Sequence, residues 1–403
     1  MRCLLLCAAL VCPTAPLVAL PLEISTGKLA EDFAWTPLQL EMRGIPEGMT
    51  VRLRAQPGGE TVPCQVERAA EAVRLTWVAK ALEKGKEAAW LVEAVKDEGS
   101  RPPPRVEARA AGHAVEIVAD GREIARLLAD PAEQKPYVFP LIGPNGKMIT
   151  RQFPMRKGVE GEKQDHPHQR SFWFTHGKVG GVDFWSEGSR AGRIRQVKVE
   201  SLTSGPVFAR IVTRNEWIAP DGKKLLDDRR ILTLYSLERG ETLIDFEVAL
   251  TAAEAPVVLG DTKEGTFGIR LAESMKEDRG GTILSSRGGR GMDETWGKPA
   301  EWVDYHGRVE GDVVGVAILD HPGSFRHPTH WHVRNYGLFA ANPFGYDDFD
   351  VPGGKDGNHT LARGATIEFR YRVYLHHGTT EDARVPLVYR GFASPPALES
   401  TAE

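Results

Sequence analysis

The sequence predicts an all-β protein, a large antiparallel two-sheet sandwich with a small N-terminal β module. Three observations favour this fold class. Apolar and polar residues alternate along many short segments, Asp-Gly turn signals stand between such segments, and helical periodicity is weak throughout. The chain has 403 residues, which is enough for one large β domain or two smaller ones with a substantial core.

The period of two that marks a half-buried strand recurs along the chain. It is clearest in residues 51–54, 73–78, 106–110, 114–118, 123–128, 211–218, 230–235, 241–250 and 365–374. Asp120-Gly121 and Asp221-Gly222 each stand between two of these segments, so hairpins are predicted there. Residues 79–86 and 270–278 show a weak period near 3.6 and predict one or two helical turns each.

Residues 1–19 have the features of a signal peptide. Met1-Arg2 carries one charge, residues 3–11 are apolar, and Leu17-Val18-Ala19 offers a small-residue cleavage site. The apolar run is too short to span a bilayer, so a secreted or periplasmic protein is predicted. The alternatives are a buried N-terminal helix and a lipid anchor at Cys12.

A linker is predicted at residues 98–105, where Gly99 and Ser100 precede three consecutive prolines. It divides the chain after the signal peptide into a small N-terminal β module, residues 20–100, and a large β-sandwich, residues 101–403. The predicted site lies in the second of these domains.

Composition excludes several classes of function. The net charge of −4 and the pI near 6.3 give no electrostatic reason to expect nucleic acid as a partner. No interior stretch approaches the roughly 20 apolar residues that cross a bilayer, so the chain is not predicted to span a membrane. Gly-x-Ser-x-Gly, Walker and Cys-x-x-Cys motifs are absent from the sequence.

Polar chemistry is concentrated in three segments. The first, residues 165–185, opens on Asp165, His166, His168 and Arg170. In an extended chain the two histidines and the arginine would point to one side. Such a density of His, Asp, Arg and Trp is costly to bury and is not needed for folding.

The other two segments supply similar side chains. Asp261, Lys263 and Glu264 follow the apolar residues 256–260 and are expected at the end of a strand. In residues 320–345, His330 and His332 form a second same-side pair, and Arg334 continues their parity.

We interpret these segments as two halves of an acid–base pocket for a polyhydroxylated or anionic ligand, with His168, His332 and Glu264 as the leading proton-transfer groups. The candidate catalytic residues are His166, His168, His176, Glu264, His330 and His332. The candidate substrate-binding residues are Asp165, Arg170, Trp173, Asp183, Trp185, Lys263, Trp331, Arg334 and Asn335.

Two alternatives stay open at the level of residues. The His-x-His pairs would also suit one divalent metal ion, with Asp165, Asp183 or Glu264 completing its ligands. Arg170 and Arg334 disfavour that ion because they place fixed positive charge beside it. The other alternative is packing, since a single histidine is more often structural than functional. No cofactor is predicted.

The chain resembles the bacterial PmoA-like family over about residues 105–380. The resemblance is carried by residues 165–177 (DHPHQRSFWFTHG), 181–185 (GVDFW), 261–265 (DTKEG), 302–305 (WVDY) and 327–345 (HPTHWHVRNYGLFAANPFG). The family label refers to a methane monooxygenase subunit that spans the membrane several times, which this sequence contradicts. Gln169 stands where many relatives have a second histidine, which weakens a metal site at this position.

The resemblance implies an exported protein of polysaccharide-degrading bacteria, and a more distant similarity is to galactose-mutarotase-like sandwiches. The predicted function is therefore a secreted carbohydrate-active enzyme, a glycoside hydrolase or lyase, that uses His and carboxylate acid–base catalysis with Arg-assisted substrate binding. The alternatives are a non-catalytic sugar-binding protein of the cell envelope and a metal-dependent lyase or oxygenase.

Overall fold

The computed structural model describes residues 20–69, 72–97, 99, 104–354 and 356–400, so the predicted signal peptide lies outside the described residues. The described chain divides into two units. The N-terminal unit comprises the residues up to 105 together with 205–208 and those from 386 onward. The site unit comprises residues 106–204 and 209–385.

The N-terminal unit contains a five-stranded and a three-stranded antiparallel sheet, in the orders β26-β1-β7-β3-β4 and β2-β6-β5. Its strands are β1 (Leu22–Lys28), β2 (Phe33–Arg43), β3 (Met49–Gln56), β4 (Thr61–Val62), β5 (Cys64–Ala69), β6 (Ala72–Leu82), β7 (Glu87–Lys96) and β26 (Glu399–Ser400). Inside this unit Trp77 and Trp90 pack edge to face with ring centroids 5.2 Å apart.

The site unit is built on two eight-stranded antiparallel sheets. Its strands are β8 (Val106–Ala111), β9 (Ala114–Ala119), β10 (Arg122–Leu128), β11 (Tyr137–Leu141), β12 (Phe172–His176), β13 (Arg193–Thr203), β14 (Phe208–Ile218), β15 (Lys224–Ser236), β16 (Thr242–Ala252), β17 (Val257–Leu259), β18 (Gly265–Arg270), β19 (Thr282–Ser285), β20 (Trp302–Val309), β21 (Asp312–Asp320), β22 (His330–Val333), β23 (Leu338–Asn342), β24 (His359–Leu361) and β25 (Thr366–His377).

One sheet, the site sheet, has the order β22-β23-β18-β12-β11-β10-β9-β8, and the other has the order β13-β14-β15-β16-β25-β21-β20-β19. Strands β17 and β24 form a separate pair. The inward side chains of both large sheets, such as Phe172, Phe174, Phe246 and Phe369, belong to one hydrophobic core. The predicted all-β, two-sheet antiparallel architecture is confirmed.

Helices in the described chain are short. Two α-helices span Gly291–Thr295 and Val385–Ala393, and 3₁₀ turns lie at Glu238–Gly240, Glu273–Met275 and Glu277–Arg279. Within the described residues, no helix has the length and apolar character to cross a membrane.

The structure differs from two sequence expectations. Residues 79–82 are strand rather than helix, because Ala79 pairs with Thr36 and Leu82 pairs with Phe33 on β2. The chain from residue 386 groups with the N-terminal unit rather than with the large sandwich, because β26 extends its sheet by pairing with β1.

Candidate active site

The candidate site lies on the face of the site sheet that points away from the core. Tyr137, Trp173, Gly268, Ala340 and His332 are cross-strand neighbours along one row of five adjacent strands. Because side chains alternate along a strand, this row faces opposite to the core residues beside it. His330 shares the outer face with His332, while Trp331 and Val333 lie in the core, as the alternation predicts.

Two indoles form a buried layer over this row. The Trp173 ring covers Gly268 so closely that a Cβ added at Gly268 would lie 2.7 Å from Trp173 Cζ2. Trp185 packs edge to face on Trp173 with ring centroids 5.3 Å apart, and each tryptophan is 1% exposed. The glycine is therefore needed for the close approach of the indole rather than for backbone freedom.

The Gly268→Ala variant is expected to unfold with a free energy lower by about 1–3 kcal/mol, because the added methyl forces Trp173 out of its packed position. Denaturant unfolding followed by tryptophan fluorescence measures this loss. A variant as stable as the wild type would contradict the tight packing of Trp173 on Gly268.

Above the indole layer, a series of neighbouring side chains contact one another across the face of the sheet. The His168 ring lies 6.3 Å from the Trp185 ring and 5.7 Å from the His166 ring. His166 stacks on Tyr336 at 5.4 Å, and the Arg334 guanidinium lies over Tyr336 at 5.9 Å.

This series of contacts continues toward β22. Arg334 also lies over the Trp296 ring at 5.8 Å, and Trp296 packs edge to face on Phe349 at 5.2 Å. Phe349 in turn lies 6.3 Å from the His332 ring. The outer face therefore carries a contiguous arc of polar and aromatic side chains that runs from Trp185 to His332.

Glu264 and Asp183 complete the arc electrostatically. The His332 Nδ1 atom lies 2.7 Å from the Lys263 carbonyl oxygen, which places His332 beside the Lys263–Glu264 segment. The Asp183 Oδ1 atom accepts the Trp185 backbone N–H at 2.8 Å. Burial raises the pKa of Glu264 and lowers that of His168, and the charge of Asp183 adds to the first shift and opposes the second. Seven members of this arrangement are at least partly exposed to solvent, and we call them the site ring. They are His166, His168, Asp183, Glu264, Trp296, Arg334 and Tyr336.

The site ring contains a carboxyl group and an imidazole whose pKa values are shifted from their ordinary values. Burial raises the pKa of Glu264, and the positive charge of Lys263 partly offsets that rise. Burial and the charges of Lys135 and His166 lower the pKa of His168 to about 4. At neutral pH the His168 imidazole is therefore uncharged and able to accept a proton, whereas Glu264 holds its proton to higher pH than an ordinary glutamate.

His332 plays a different part. It is 3% exposed, and burial lowers its pKa to about 3. Because its Nδ1 faces a carbonyl oxygen, the neutral ring carries its proton on Nδ1. This hydrogen bond fixes the Lys263 backbone and so positions the adjacent Glu264.

Arg334 is the cation of the site ring. Its guanidinium lies over two aromatic rings, and within the described chain no carboxylate forms an ion pair with it. Its Nε–H is buried without a hydrogen-bond partner among the described atoms. A half-buried guanidinium of this kind is suited to a sugar hydroxyl or a carboxylate of a ligand.

Other predicted residues serve as supports for the site. Arg170 donates to both Glu187 carboxylate oxygens, at 2.7 and 2.9 Å, and Lys135 donates to Glu187 at 3.0 Å. Asp165 accepts from Arg151 at 2.6 Å and from Arg270 at 3.1 Å. These ion pairs anchor the 165–170 loop at one end to Arg270 of β18 and at the other end to Glu187.

The remaining predicted residues lie outside the site ring. His176 is fully buried with its Nε2 2.8 Å from the Gly260 carbonyl oxygen, and Trp331 is a core residue whose Nε1 donates to the Ala300 carbonyl. Lys263 pairs with Asp348 at 3.1 Å. Asn335 is exposed in the turn between β22 and β23.

His330 lies beside Phe349, where it lines a separate cavity of about 640 Å³ with His327 and Tyr346. The two His-x-His pairs thus differ in backbone conformation. His330 and His332 share a strand, whereas residues 165–170 are a loop in which the Gln169 N–H bonds to the His166 carbonyl. The expected extended course of His166, His168 and Arg170 is wrong, because the loop turns at this hydrogen bond and at Ser171, whose φ is 49°.

Four contributors to the site were not predicted from the sequence. Arg151 is fully buried and donates to the backbone carbonyls of Asp165 at 2.8 Å and His166 at 2.9 Å, so the histidine loop wraps around its guanidinium. Trp296, Tyr336 and Phe349 complete the aromatic contacts. Tyr336 stood in a segment already singled out, but no local pattern distinguished Arg151 or Trp296.

Among the residues that the structure describes, no three His, Cys, Asp or Glu side chains are grouped so that they could hold a metal ion.

Comparisons with known proteins identify the family of this chain but no activity. A family model described as a family of unknown function, DUF6807, matches residues 114–390. No curated protein sequence matches the chain.

Solved structures give weak likenesses. An alpha-mannosidase from Enterococcus faecalis V583 matches with a TM-score of 0.40 and 10% identity. The match covers 95% of this chain and 46% of the mannosidase chain. A glycosyl hydrolase family 38 protein from Enterococcus faecalis has a TM-score of 0.39 at 10% identity, covering 95% and 47%. The chain thus spans less than half the length of either protein. A galactose mutarotase related enzyme from Lactobacillus acidophilus has a TM-score of 0.25 at 11% identity, covering 68% and 98%. With TM-scores this low, we draw no function from them.

Proposed function

Because this chain belongs to DUF6807, a family of unknown function, we propose its function from the site ring: a secreted carbohydrate-active enzyme that cleaves glycosidic bonds by general acid–base catalysis. One observation carries the proposal. A carboxyl group with a raised pKa and an imidazole with a lowered pKa share a half-buried cluster with an arginine that has no carboxylate partner among the described residues.

Four residues of the site ring have distinct roles in this proposal. Glu264 is the general acid that protonates the glycosidic oxygen, since burial keeps it protonated to higher pH. His168 is the general base, which takes a proton from water in hydrolysis or from a ring carbon in elimination. Arg334 binds a hydroxyl or carboxylate oxygen of the sugar, and the half-buried Trp296 supplies an aromatic surface.

The structure changes the predicted aromatic contacts. Trp173 and Trp185 were expected to line the sugar subsite, but they are 1% exposed and lie beneath the ring. In the proposal they support His168, and Trp296 takes the contact with the sugar.

Incubation of the purified protein with a panel of neutral and acidic polysaccharides tests this function. We expect new reducing ends if water completes the reaction, or unsaturated, ultraviolet-absorbing products if it ends in elimination. Sugar binding without any product would favour the non-catalytic sugar-binding alternative and contradict the enzyme.

A further inference from the structure

A second concavity lies on the same outer face of the site sheet. It has a volume of about 370 Å³, and its lining includes Arg126 of β10, Tyr137 and Phe139 of β11, and Met155 and Arg156 of the following loop. We call it the distal groove. None of the residues assigned to proton transfer lines it.

The distal groove adjoins the site ring through shared residues. Tyr137 lines the groove and is the cross-strand neighbour of Trp173 under the ring. Arg170 also lines the groove, and its partner Glu187 is close enough to His168 for its charge to oppose part of the lowering of the His168 pKa by burial. From Tyr137 to His332 the row crosses four inter-strand spacings, about 19 Å in all, which exceeds the length of a single sugar ring.

Three arginines and two glutamates, Glu123 and Glu133, line the groove, and two of the arginines are each held by two carboxylates. Arg126 pairs with Glu116 at 3.0 Å and with Glu123 at 2.7 Å, and Arg170 is held by Glu187 and Glu133. For Arg156, the described residues provide no carboxylate partner.

Arg156 is nevertheless held in place. Its Nη1 donates to the Gln152 side-chain oxygen at 3.1 Å, and its guanidinium lies over the Phe139 ring at 5.6 Å. An arginine fixed in this way beside an aromatic ring is suited to a planar or tetrahedral anion.

We infer that the distal groove is a second sugar subsite and that the substrate is a chain of sugars bearing acidic groups, carboxylate or sulfate. This inference rests on the proposed function. One sugar unit occupies the site ring, and a unit further along the same chain, beyond the reach of a dimer, packs on Tyr137 and Phe139 while Arg156 binds its acidic group.

Calorimetric titration tests the inference with dimers, tetramers and hexamers of a uronic acid, a matching sulfated series and a neutral glucose series. All proteins carry Glu264→Gln to prevent cleavage. Arg156→Ala is compared with Arg363→Ala, a control at an exposed arginine in the turn between β24 and β25. Both positions are exposed, so neither change is expected to disturb folding.

We expect Arg156→Ala to weaken binding of acidic tetramers and hexamers roughly tenfold at low salt, with less loss at high salt. Dimers, neutral chains and the Arg363→Ala control should be unaffected, and the series with the larger loss identifies carboxylate or sulfate. Equal affinity for long acidic chains, or an equal loss for dimers, would overturn the inference.

The two proposals fail in different ways. If the wild type cleaves a polysaccharide but its affinity depends neither on chain length nor on Arg156, only the distal subsite is refuted. If no oligosaccharide is bound or cleaved, both proposals are refuted.

Discussion

Replacing Glu264 by glutamine is expected to lower the turnover number by a factor of about 10²–10⁴, the usual contribution of a general acid. The amide keeps the size of the side chain but cannot release a proton to the leaving oxygen. Turnover on a polysaccharide that the wild type cleaves measures the effect, and Glu254→Gln, an exposed glutamate, is the matched control.

Stability separates this role from a structural one. Burial raises the pKa of Glu264, so its ionisation at neutral pH opposes folding. The Glu264→Gln variant should therefore be at least as stable as the wild type at pH 7. A variant that loses stability while it keeps its turnover would show that Glu264 is a structural residue.

The pH dependence of the wild type follows from the same two shifts. His168 must be neutral to act as a base, so activity rises as the pH increases through its pKa of about 4. Glu264 must be protonated, so activity falls as the pH passes its raised pKa. A bell-shaped profile with an acidic optimum is expected, and Glu264→Gln should remove the falling limb from any residual activity.

The second large effect is on folding. Asp304→Asn is expected to lower the free energy of unfolding by about 3–5 kcal/mol, because it removes one partner of a buried ion pair. Asp304 and His376 are both 0% exposed, and Asp304 Oδ1 lies 3.0 Å from His376 Nε2. The exposed Asp312→Asn on β21 is the control and should change stability by less than about 0.5 kcal/mol.

The hydrogen bonds of His376 indicate that it is charged. Its Nε2 faces the Asp304 carboxylate, and its Nδ1 lies 3.2 Å from the His377 carbonyl oxygen. Both neighbours are acceptors, so both ring nitrogens carry protons. Gly315 makes room for this ring, since a Cβ there would lie 2.2 Å from His376 Cε1.

The pair gives stability a defined pH window. The Asp304 carboxylate raises the pKa of His376, so this contribution is complete below the unfolded value near 6.5 and is lost as the pH rises through the folded value. The neighbouring histidines lower the pKa of Asp304, so its contribution is complete above about 3.9 and is lost on acidification. If the free energy of unfolding of the wild type showed neither loss with pH, or if the Asp304→Asn variant were as stable as the wild type, the ion pair would be contradicted.

Local patterns predicted much of the fold. At Asp120-Gly121 both residues adopt positive φ, 49° and 77°, in the tight turn that the dipeptide favours between β9 and β10. The alternation in residues 330–333 correctly placed His330 and His332 on one face, whereas Trp331, predicted to bind substrate, lies in the core. Patterns failed where pairing overrides local preference, as at Ala79, whose segment has weak helical periodicity but belongs to β6.

The site was less predictable because its geometry depends on distant contacts. Arg151 holds a loop that lies 14 residues further along the chain at Asp165, through backbone carbonyls that leave no residue pattern. Trp173 and Trp185 were predicted to bind substrate, but each is 1% exposed, and the His168 ring lies 6.3 Å from the Trp185 ring. Composition indicates which side chains are costly to bury, but only packing shows which of them stay exposed.

A crystal structure of the Glu264→Gln variant with an oligosaccharide that the wild type cleaves tests the central claim most directly. We predict a sugar bound in the site ring, with oxygens within hydrogen-bonding distance of the side chains of Arg334 and residue 264 and a ring face against Trp296. An oligosaccharide bound at another surface, with no sugar contact to the site ring, would contradict the proposed function.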